Sequence, residues 1–256
     1  MDICKTILIL VFCFLSISLS GCNVNQPTSS AEAYPPDEEI TFFIASDIHY
    51  LDPSLTDGKE AFQSFLSSGD AKHLDDIDLI LDAFINDIEE EKPDILIVCG
   101  DLTNNGEKES HRALAKKLKT IEETGTSVYI VPGNHDIFNP WARCFESTAQ
   151  YPVDTICDKG FREIYGDFGY NEAISSDEHT LSYLVAPSET LWLLMLDSNK
   201  YKNNMESNCP NADGAIHSKT IPWIKKCLKM AEKNNARVIA VMHHSLLNHH
   251  DGNDQN

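Results

Sequence analysis

Four apolar stretches of this chain end in residue types that bind metal ions in proteins. The clearest is the stretch at residues 128–132, which is followed at once by Gly133, Asn134, His135 and Asp136. A short β-branched run that stops at a glycine is typical of a buried strand. An amide, an imidazole and a carboxylate in succession are unusual at the end of a core strand unless a ligand binds there.

The stretches at residues 41–46, 95–99 and 238–242 are followed by similar chemistry. The metal-binding residue types that follow them are Asp47, His49, Asp101, His243 and His244. Taken separately, each has a simpler explanation, since Asp47 and His49 could cap a turn and residues 134–136 could form an exposed Asx-turn. Their joint occurrence at successive strand ends favours a shared binding site.

The segments between the first three strands have the periodicity of helices. Apolar residues recur on one helical face between residues 77 and 88, and a second such pattern spans residues 107–123. Strands that alternate with helices predict βαβ crossovers and a parallel sheet. Further along, we predict an antiparallel strand pair at residues 181–186 and 191–196, a helix from Thr220 and a last strand at residues 237–242.

The carboxyl ends of parallel strands meet at one edge of a sheet, where ligands bind. We therefore expect one rim to collect Asp47, His49, Asp101, Asn134, His135 and His243. Carboxylate and imidazole ligands suit manganese, iron or zinc. Two such ions about 3.5–4 Å apart need a bridging carboxylate, which Asp101 could provide, and they would clamp both oxygens of an in-line displacement at phosphorus.

This order of motifs resembles the calcineurin-like metallophosphoesterase superfamily over roughly residues 40–250. The resemblance implies an α/β fold, a β-sandwich of two mixed sheets flanked by helices (αββα). It implies that Asp47 and His49 bind one metal ion, that Asp101 bridges, and that Asn134 and His243 bind the other. It also implies that His135 is not a ligand. Its implied role is general acid or charge stabiliser beside the leaving oxygen, oriented by Asp136.

The implied activity is hydrolysis of phosphomonoesters or phosphodiesters by a metal-bound hydroxide at a dinuclear centre. The family carries a Gly-His-x-His turn downstream of the position matching His243, and residues 244–256 contain none. Without those ligands we expect weaker metal binding. The alternative is a truncated or catalytically impaired member that acts as a surface binding protein. His244 is expected to line the site, and His249 and His250 to lie on the surface.

The first 39 residues are not expected to belong to the domain. A charged start at Lys5, an apolar run from residue 7 to 19 and the small residues before Cys22 are typical of a secretory signal peptide over residues 1–21. The segment at residues 19–22 resembles a bacterial lipobox, so we expect a lipid on Cys22 and an extracytoplasmic protein anchored to the cell membrane. An ordinary cleaved signal or a short membrane anchor is the alternative. Residues 22–39 are expected to form a flexible tether, and residues 40–256 the metallophosphoesterase domain, with an insertion or cap at about 137–180.

The net charge and the cysteines bear on partners and on disulfide pairing. A formal charge of −20 argues against duplex nucleic acid as a partner, because no basic stripe could offset the phosphates. Five cysteines remain after the export segment, and their pairing is left open by the spacing. They are Cys99, Cys144, Cys157, Cys209 and Cys227.

Overall fold

The first sheet brings three predicted strand ends to one edge. A computed structural model describes residues 39–68 and 72–246. In it, β1 (Phe42–Ala45), β2 (Ile95–Cys99) and β3 (Ser127–Val131) form a sheet in the order β1-β2-β3, parallel throughout. The predicted parallel sheet is therefore confirmed.

Within residues 39–68 and 72–126, three α-helices precede the last strand of this sheet. They are α1 (Glu60–Ser67), α2 (Ile77–Glu91) and α3 (Lys108–Glu123). The 3.6-residue apolar faces of α2 and α3 are buried in the main core, as their periodicity predicts. Helix α1 lies in a stretch that we read from the sequence as a polar loop, and it buries Ala61 and Phe62.

Residues 137–180 hold more strand than expected. A hairpin of β4 (Arg143–Glu146) and β5 (Ala149–Pro152) packs on α1, where the rings of Phe62 and Phe145 lie 5.3 Å apart. Helix α4 (Asp158–Ile164), a π-helical turn (Gly166–Tyr170) and the short strand β6 (Ser175–Ser176) follow. The insertion or cap at about 137–180 stays a prediction, and the hairpin has no signal in the sequence that we recognised.

The second sheet has the order β6-β7-β8-β9. It contains β7 (Tyr183–Val185), β8 (Leu191–Leu196) and β9 (Arg237–Met242), and the short helix α5 (Asn204–Ser207) and the longer α6 (Thr220–Lys233) lie between β8 and β9. Strands β7 and β8 are antiparallel, as predicted, and β9 is parallel to β8, with α6 in the connection between them.

Alternate residues of β8 show how the layers stack. Leu193 and Met195 join the core shared with the first sheet, while Trp192, Leu194 and Leu196 pack against Cys227 and Ala231 of α6. Helices α2 and α3, the first sheet, the second sheet and α6 therefore form the predicted αββα arrangement. In the described part of the chain only the second sheet is mixed.

Several expectations lie outside the described residues. They are the signal peptide at residues 1–21, the lipid site at Cys22, the tether up to residue 38, and His249 and His250. No helix within residues 39–68 and 72–246 is long and apolar enough to cross a membrane. The five described cysteines are free thiols.

Candidate metal centre

The backbone that follows β1 has left-handed φ angles where it is hydrogen-bonded to the backbone that follows β2. Asp47 and His49 both have left-handed φ angles, of 57° and 50°, and Asp101 has a φ of 49°. Such angles are uncommon for residues other than glycine, and they concentrate at functional sites. Backbone hydrogen bonds hold them in place, because Asp47 N–H donates to Gly100 O and His49 N–H donates to Asp101 O.

Glycine is required where β2 and β3 end side by side. A Cβ atom on Gly133 would lie 2.0 Å from the Asp101 backbone nitrogen and 2.2 Å from Asp101 Oδ1. A Cβ atom on Gly100, whose φ is 83°, would lie 2.7 Å from His243 Nδ1. The turn at residues 133–136 can therefore wrap around the Asp101 side chain only because position 133 has no side chain.

The two carboxylate oxygens of Asp101 have different contacts. Oδ1 accepts a hydrogen bond from the His135 backbone N–H at 2.8 Å, which fixes the carboxylate. Oδ2 lies 3.5 Å from His243 Nε2, 3.7 Å from His49 Nε2 and 4.0 Å from His135 Nε2. One carboxylate oxygen thus stands at the middle of three imidazoles.

Two groups of potential ligands share Asp101. One consists of His49, Asp101 and His135, and the other of Asp47, Asp101 and His243, with the ligand atoms of each group within 4.8 Å of one another. The side-chain oxygen of Asn134 lies 3.1 Å from His243 Nε2. All the residues predicted to bind metal therefore converge, and His135, predicted not to be a ligand, lies close to one group.

The charges of the centre are strongly coupled. Burial alone would raise the pKa of Asp101, but the hydrogen bond from His243 and the nearby His135 and His243 outweigh it and lower the pKa to about 2. Burial alone would lower the pKa of His243, but the hydrogen bond and charge of Asp101 raise it to about 9. Because an imidazole must be neutral to coordinate a metal ion, an ion bound at His243 would displace this proton.

His49 is in the form that binds metal. Burial, followed by the nearby Lys72, lowers its pKa to about 4, so the imidazole is neutral at neutral pH. A neutral imidazole is the form that coordinates metal ions. Its Nε2 lies 3.9 Å from Asp47 Oδ1, and the Asp47 side chain is 56% exposed.

Asp136 accepts hydrogen bonds from backbone groups around the centre. Its buried carboxylate accepts hydrogen bonds from the backbone N–H groups of Leu102, Thr103 and Gly133 and from Thr103 Oγ1. These contacts direct the carboxylate at the backbone of Gly133 and of the loop after β2. The predicted orientation of the His135 ring by Asp136 stays a prediction. Asp136 shapes the loop after β2, which carries Asp101.

The loop after β2 contacts the His135 ring. His135 Nδ1 lies 2.7 Å from Asn104 O, to which it donates, and 3.1 Å from Asn105 Oδ1. Glu107, fully buried, accepts from the Asn105 backbone N–H and from Asn104 Nδ2 and so holds this loop. The sequence analysis did not single out Asn104, Asn105 or Glu107. The polar run that follows Asp101 at the end of a predicted strand is the signal that could have indicated them.

The other histidines of the described residues lie outside the two ligand groups. His111, treated as structural from the sequence, is buried, and its Nε2 lies 2.9 Å from Asp136 O. His244 contacts Ser198 Oγ at 2.8 Å through Nδ1 and Ala212 O at 3.2 Å through Nε2, while its ring lies 4.9 Å from that of His243. His244 therefore sits beside the centre and faces the loop after β8.

The donor set fits a pair of divalent metal ions. Carboxylate, imidazole and amide donors bind manganese, iron and zinc, and thiolates are absent from the two groups. Ligand atoms about 2.0–2.2 Å from an ion lie roughly 3–3.5 Å from one another. The separations of 3.1–4.0 Å around Asp101 Oδ2 and His243 Nε2 need only small side-chain adjustments to reach that geometry.

Comparisons with known proteins identify the family of this chain. A model of the calcineurin-like phosphoesterase family matches residues 40–256. The probable glycerophosphodiester phosphodiesterase GpdQ of Arcobacter nitrofigilis is 36% identical over 55 residues, which is 22% of this chain and 19% of that relative. A dimetal phosphatase from Danio rerio is 14% identical and superposes with a TM-score of 0.48 over 80% of this chain and 69% of the phosphatase.

The fold and the carboxylate–histidine rim define an αββα protein with a candidate metal centre at the ends of its strands. Since the family model covers most of the sequence, the chain belongs to the calcineurin-like phosphoesterase family.

Proposed function

We propose that this chain hydrolyses phosphate esters with two divalent metal ions bound at the rim where the strands end. In this proposal Asp47 and His49 hold one ion, Asn134 and His243 hold the other, and Asp101 contacts both. The observation that carries the proposal is the position of Asp101 Oδ2 between the Nε2 atoms of His49 and His243.

Bound metal ions would activate water as the nucleophile and offset the charge that develops on the phosphoryl oxygens. The protein keeps the bridging oxygen in place, because the His135 backbone N–H holds the other oxygen of Asp101. His135 Nδ1 already donates to Asn104 O, so this ring would give a proton to a leaving oxygen from Nε2, as the imidazolium that carries a proton on both nitrogens, and would be left as the neutral ring. Loss of that proton transfer would slow the reaction without removing a ligand.

We propose phosphodiesters as the preferred substrates. The short match to a probable glycerophosphodiester phosphodiesterase supports this choice. The open side of the rim supports it as well, because the half-exposed Asp47 leaves room for a second ester group. Phosphomonoesters are the competing class.

The test combines metal analysis with turnover. We expect the purified chain to bind manganese, iron or zinc, and to hydrolyse bis(4-nitrophenyl) phosphate with added Mn²⁺ faster than 4-nitrophenyl phosphate. Asp101→Ala should abolish both metal binding and turnover, while Asp87→Asn on the exposed face of α2 should change neither. Absence of both bound metal and turnover in the unmodified chain would refute the proposal, and metal without turnover would favour the surface binding protein.

We also propose that the chain is exported and lipid-anchored at Cys22, on the lipobox-like segment at residues 19–22. Expression in a bacterium should then place the protein in the membrane fraction. Cys22→Ser should release it or leave the signal uncleaved. Recovery of both forms as soluble proteins of equal mass would contradict the anchor.

A further inference from the structure

Helix α6 carries a charge opposite to that of the rest of the chain. Residues 219–233 contain five lysines and one glutamate, a net charge of +4, whereas the other residues together carry −24. The lysines are Lys219, Lys225, Lys226, Lys229 and Lys233. A quarter of the 20 basic residues of the chain therefore lie in this one helix and its N-cap.

The lysines of α6 are exposed, and none of them forms an ion pair with another residue of the described part of the chain. Helix α3 differs in this respect, because Lys108, Lys117 and Lys119 each lie within 4 Å of a carboxylate oxygen. The positive charge of α3 is thus offset by acidic neighbours, whereas that of α6 faces outward without such neighbours among the described residues.

Two exposed apolar side chains lie among these lysines. Ile221 is 43% exposed and Leu228 is 46% exposed. Residues three and four apart are neighbours on a helix surface, so Lys225 adjoins both of them. The opposite side of α6 packs against β8. We call the exposed side, with Ile221, Lys225, Leu228 and Lys229, the outer face of α6.

An anionic lipid bilayer matches both features of the outer face. Each basic residue near an anionic bilayer strengthens binding about fivefold, and exposed apolar side chains of a helix enter the boundary between head groups and acyl chains. A nucleic acid would match only the charges. The acidic remainder of the chain opposes docking little, because at physiological ionic strength charges more than about 8 Å from the bilayer are largely screened.

We propose that the outer face of α6 docks the domain on a bilayer that contains anionic phospholipid. The metal centre lies at the carboxyl ends of the strands, at the edge of the sheets, so a bilayer against this face leaves the centre open to solvent. The docking depends neither on turnover nor on a lipid at Cys22. Such a lipid would bring the domain to a bilayer but would not select the side that faces it.

The first test measures partition of the full chain into two kinds of vesicle, phosphatidylcholine alone and phosphatidylcholine mixed with phosphatidylglycerol. The ratio of the two partition coefficients isolates the effect of anionic lipid, because apolar contacts of the N-terminal residues contribute to both. We expect the wild-type chain to prefer the anionic vesicles, and added salt to reduce this preference. Lys225→Glu combined with Lys229→Glu should lower the preference by about 25-fold, since two attractive charges are lost.

The matched control combines Lys116→Glu with Lys159→Glu, on exposed positions of α3 and α4. It changes the net charge by the same amount and should keep the wild-type preference. Glutamate favours helices about as well as lysine does, and circular dichroism verifies that both variants fold. Equal partition of the wild type into both kinds of vesicle, or an equal loss in both double variants, would overturn the proposal.

The second test locates the contact on the wild-type chain. Amine acetylation followed by peptide mass spectrometry reports how accessible each lysine is. With anionic vesicles, Lys225 and Lys229 should react several-fold more slowly, while Lys159, whose side chain is 82% exposed, should react as in solution. Slowing of Lys159 to the same extent would overturn the proposal. Equal slowing of the α6 lysines by duplex DNA, or by high protein concentration without vesicles, would assign the face to nucleic acid or to a second copy of the chain and would also overturn it.

Discussion

The ends of β1 and β3 supply the centre in opposite ways. At the end of β1, hydrogen bonds hold the backbone in left-handed conformations, and the Asp47 side chain is 56% exposed. At the end of β3, the side chains themselves are held, since Asp136 accepts from three backbone N–H groups and His135 Nδ1 donates into the loop after β2. One end positions its backbone and the other its side chains.

Because of this difference, we expect the two strand ends to respond differently to bound metal ions. In the turn at residues 133–136, Gly133 and Asp136 are buried and the His135 backbone N–H donates to Asp101. We therefore expect its geometry to depend little on a bound ion. Asp47 has few contacts of its own beyond Ser46 Oγ, which donates to it. Metal ions should therefore contribute more to the order of the β1 end, while changes at the β3 end should damage folding or turnover directly.

The largest expected effect is that of His135→Ala on turnover. Removing a proton donor to the leaving oxygen typically costs about 10²–10⁴-fold in rate, and we expect a loss of roughly 100- to 1,000-fold in kcat. Metal content should change little, because Asp101 and the other ligands remain. Rates with Mn²⁺ and elemental analysis of the same preparation provide the measurement. His135 Nε2 lies near the ligand atoms of His49 and Asp101. An equal loss of bound metal and of turnover in His135→Ala would therefore show that His135 is a metal ligand and not a proton donor.

Gly133→Ala should have the next largest effect, this time on stability. The new methyl group would overlap the Asp101 backbone nitrogen at 2.0 Å, and backbone on both sides leaves it no space. We expect the free energy of unfolding to fall by about 3 kcal/mol, at the upper end for overpacked sites. Urea denaturation measures it.

The matched control for that change is Gly160→Ala in α4. A Cβ there meets its nearest neighbour at 3.5 Å, which is ordinary contact, and alanine favours the helix. Equal stability of the two variants would show that the β3 end is less rigid than its contacts indicate.

A smaller effect is expected for Asn105→Ala. This change removes one acceptor from His135 Nδ1 and leaves the stronger contact to Asn104 O, so we expect kcat to fall about tenfold with unchanged metal content. Asn105→Asp keeps the oxygen and should recover most of the rate. If the alanine and aspartate variants lose the same activity, Asn105 has a structural role and does not orient the ring.

Sequence patterns predicted the strands and the residues at their ends better than they predicted the hydrogen bonds that hold those residues. Periodicity located α2, α3 and α6, and the apolar runs located β2, β3 and β8, because burial of one face leaves a repeating signal. The hairpin of β4 and β5 and helix α1 were missed, since they are short and bury few residues. The contacts of Asp136 were not predicted, for a different reason. Its partners are backbone N–H groups, which every residue carries and which no sequence pattern marks.

The smallest expected effect on stability is that of Asp47→Asn. Asparagine tolerates the left-handed φ of 57° as well as aspartate does, and the side chain is exposed, so the metal-free protein should change by less than about 0.5 kcal/mol. In Mn²⁺ the wild-type Tm should rise, because an ion that binds only the folded state stabilises it, and the variant should lose much of that rise. Thermal scans with Mn²⁺ and with a chelator measure both quantities, with Asp75→Asn as an exposed control that should retain the full shift. If Asp47→Asn destabilised the metal-free protein as much as Gly133→Ala does, the β1 end would be as preorganised as the β3 end. The contrast between them would then reflect exposure alone.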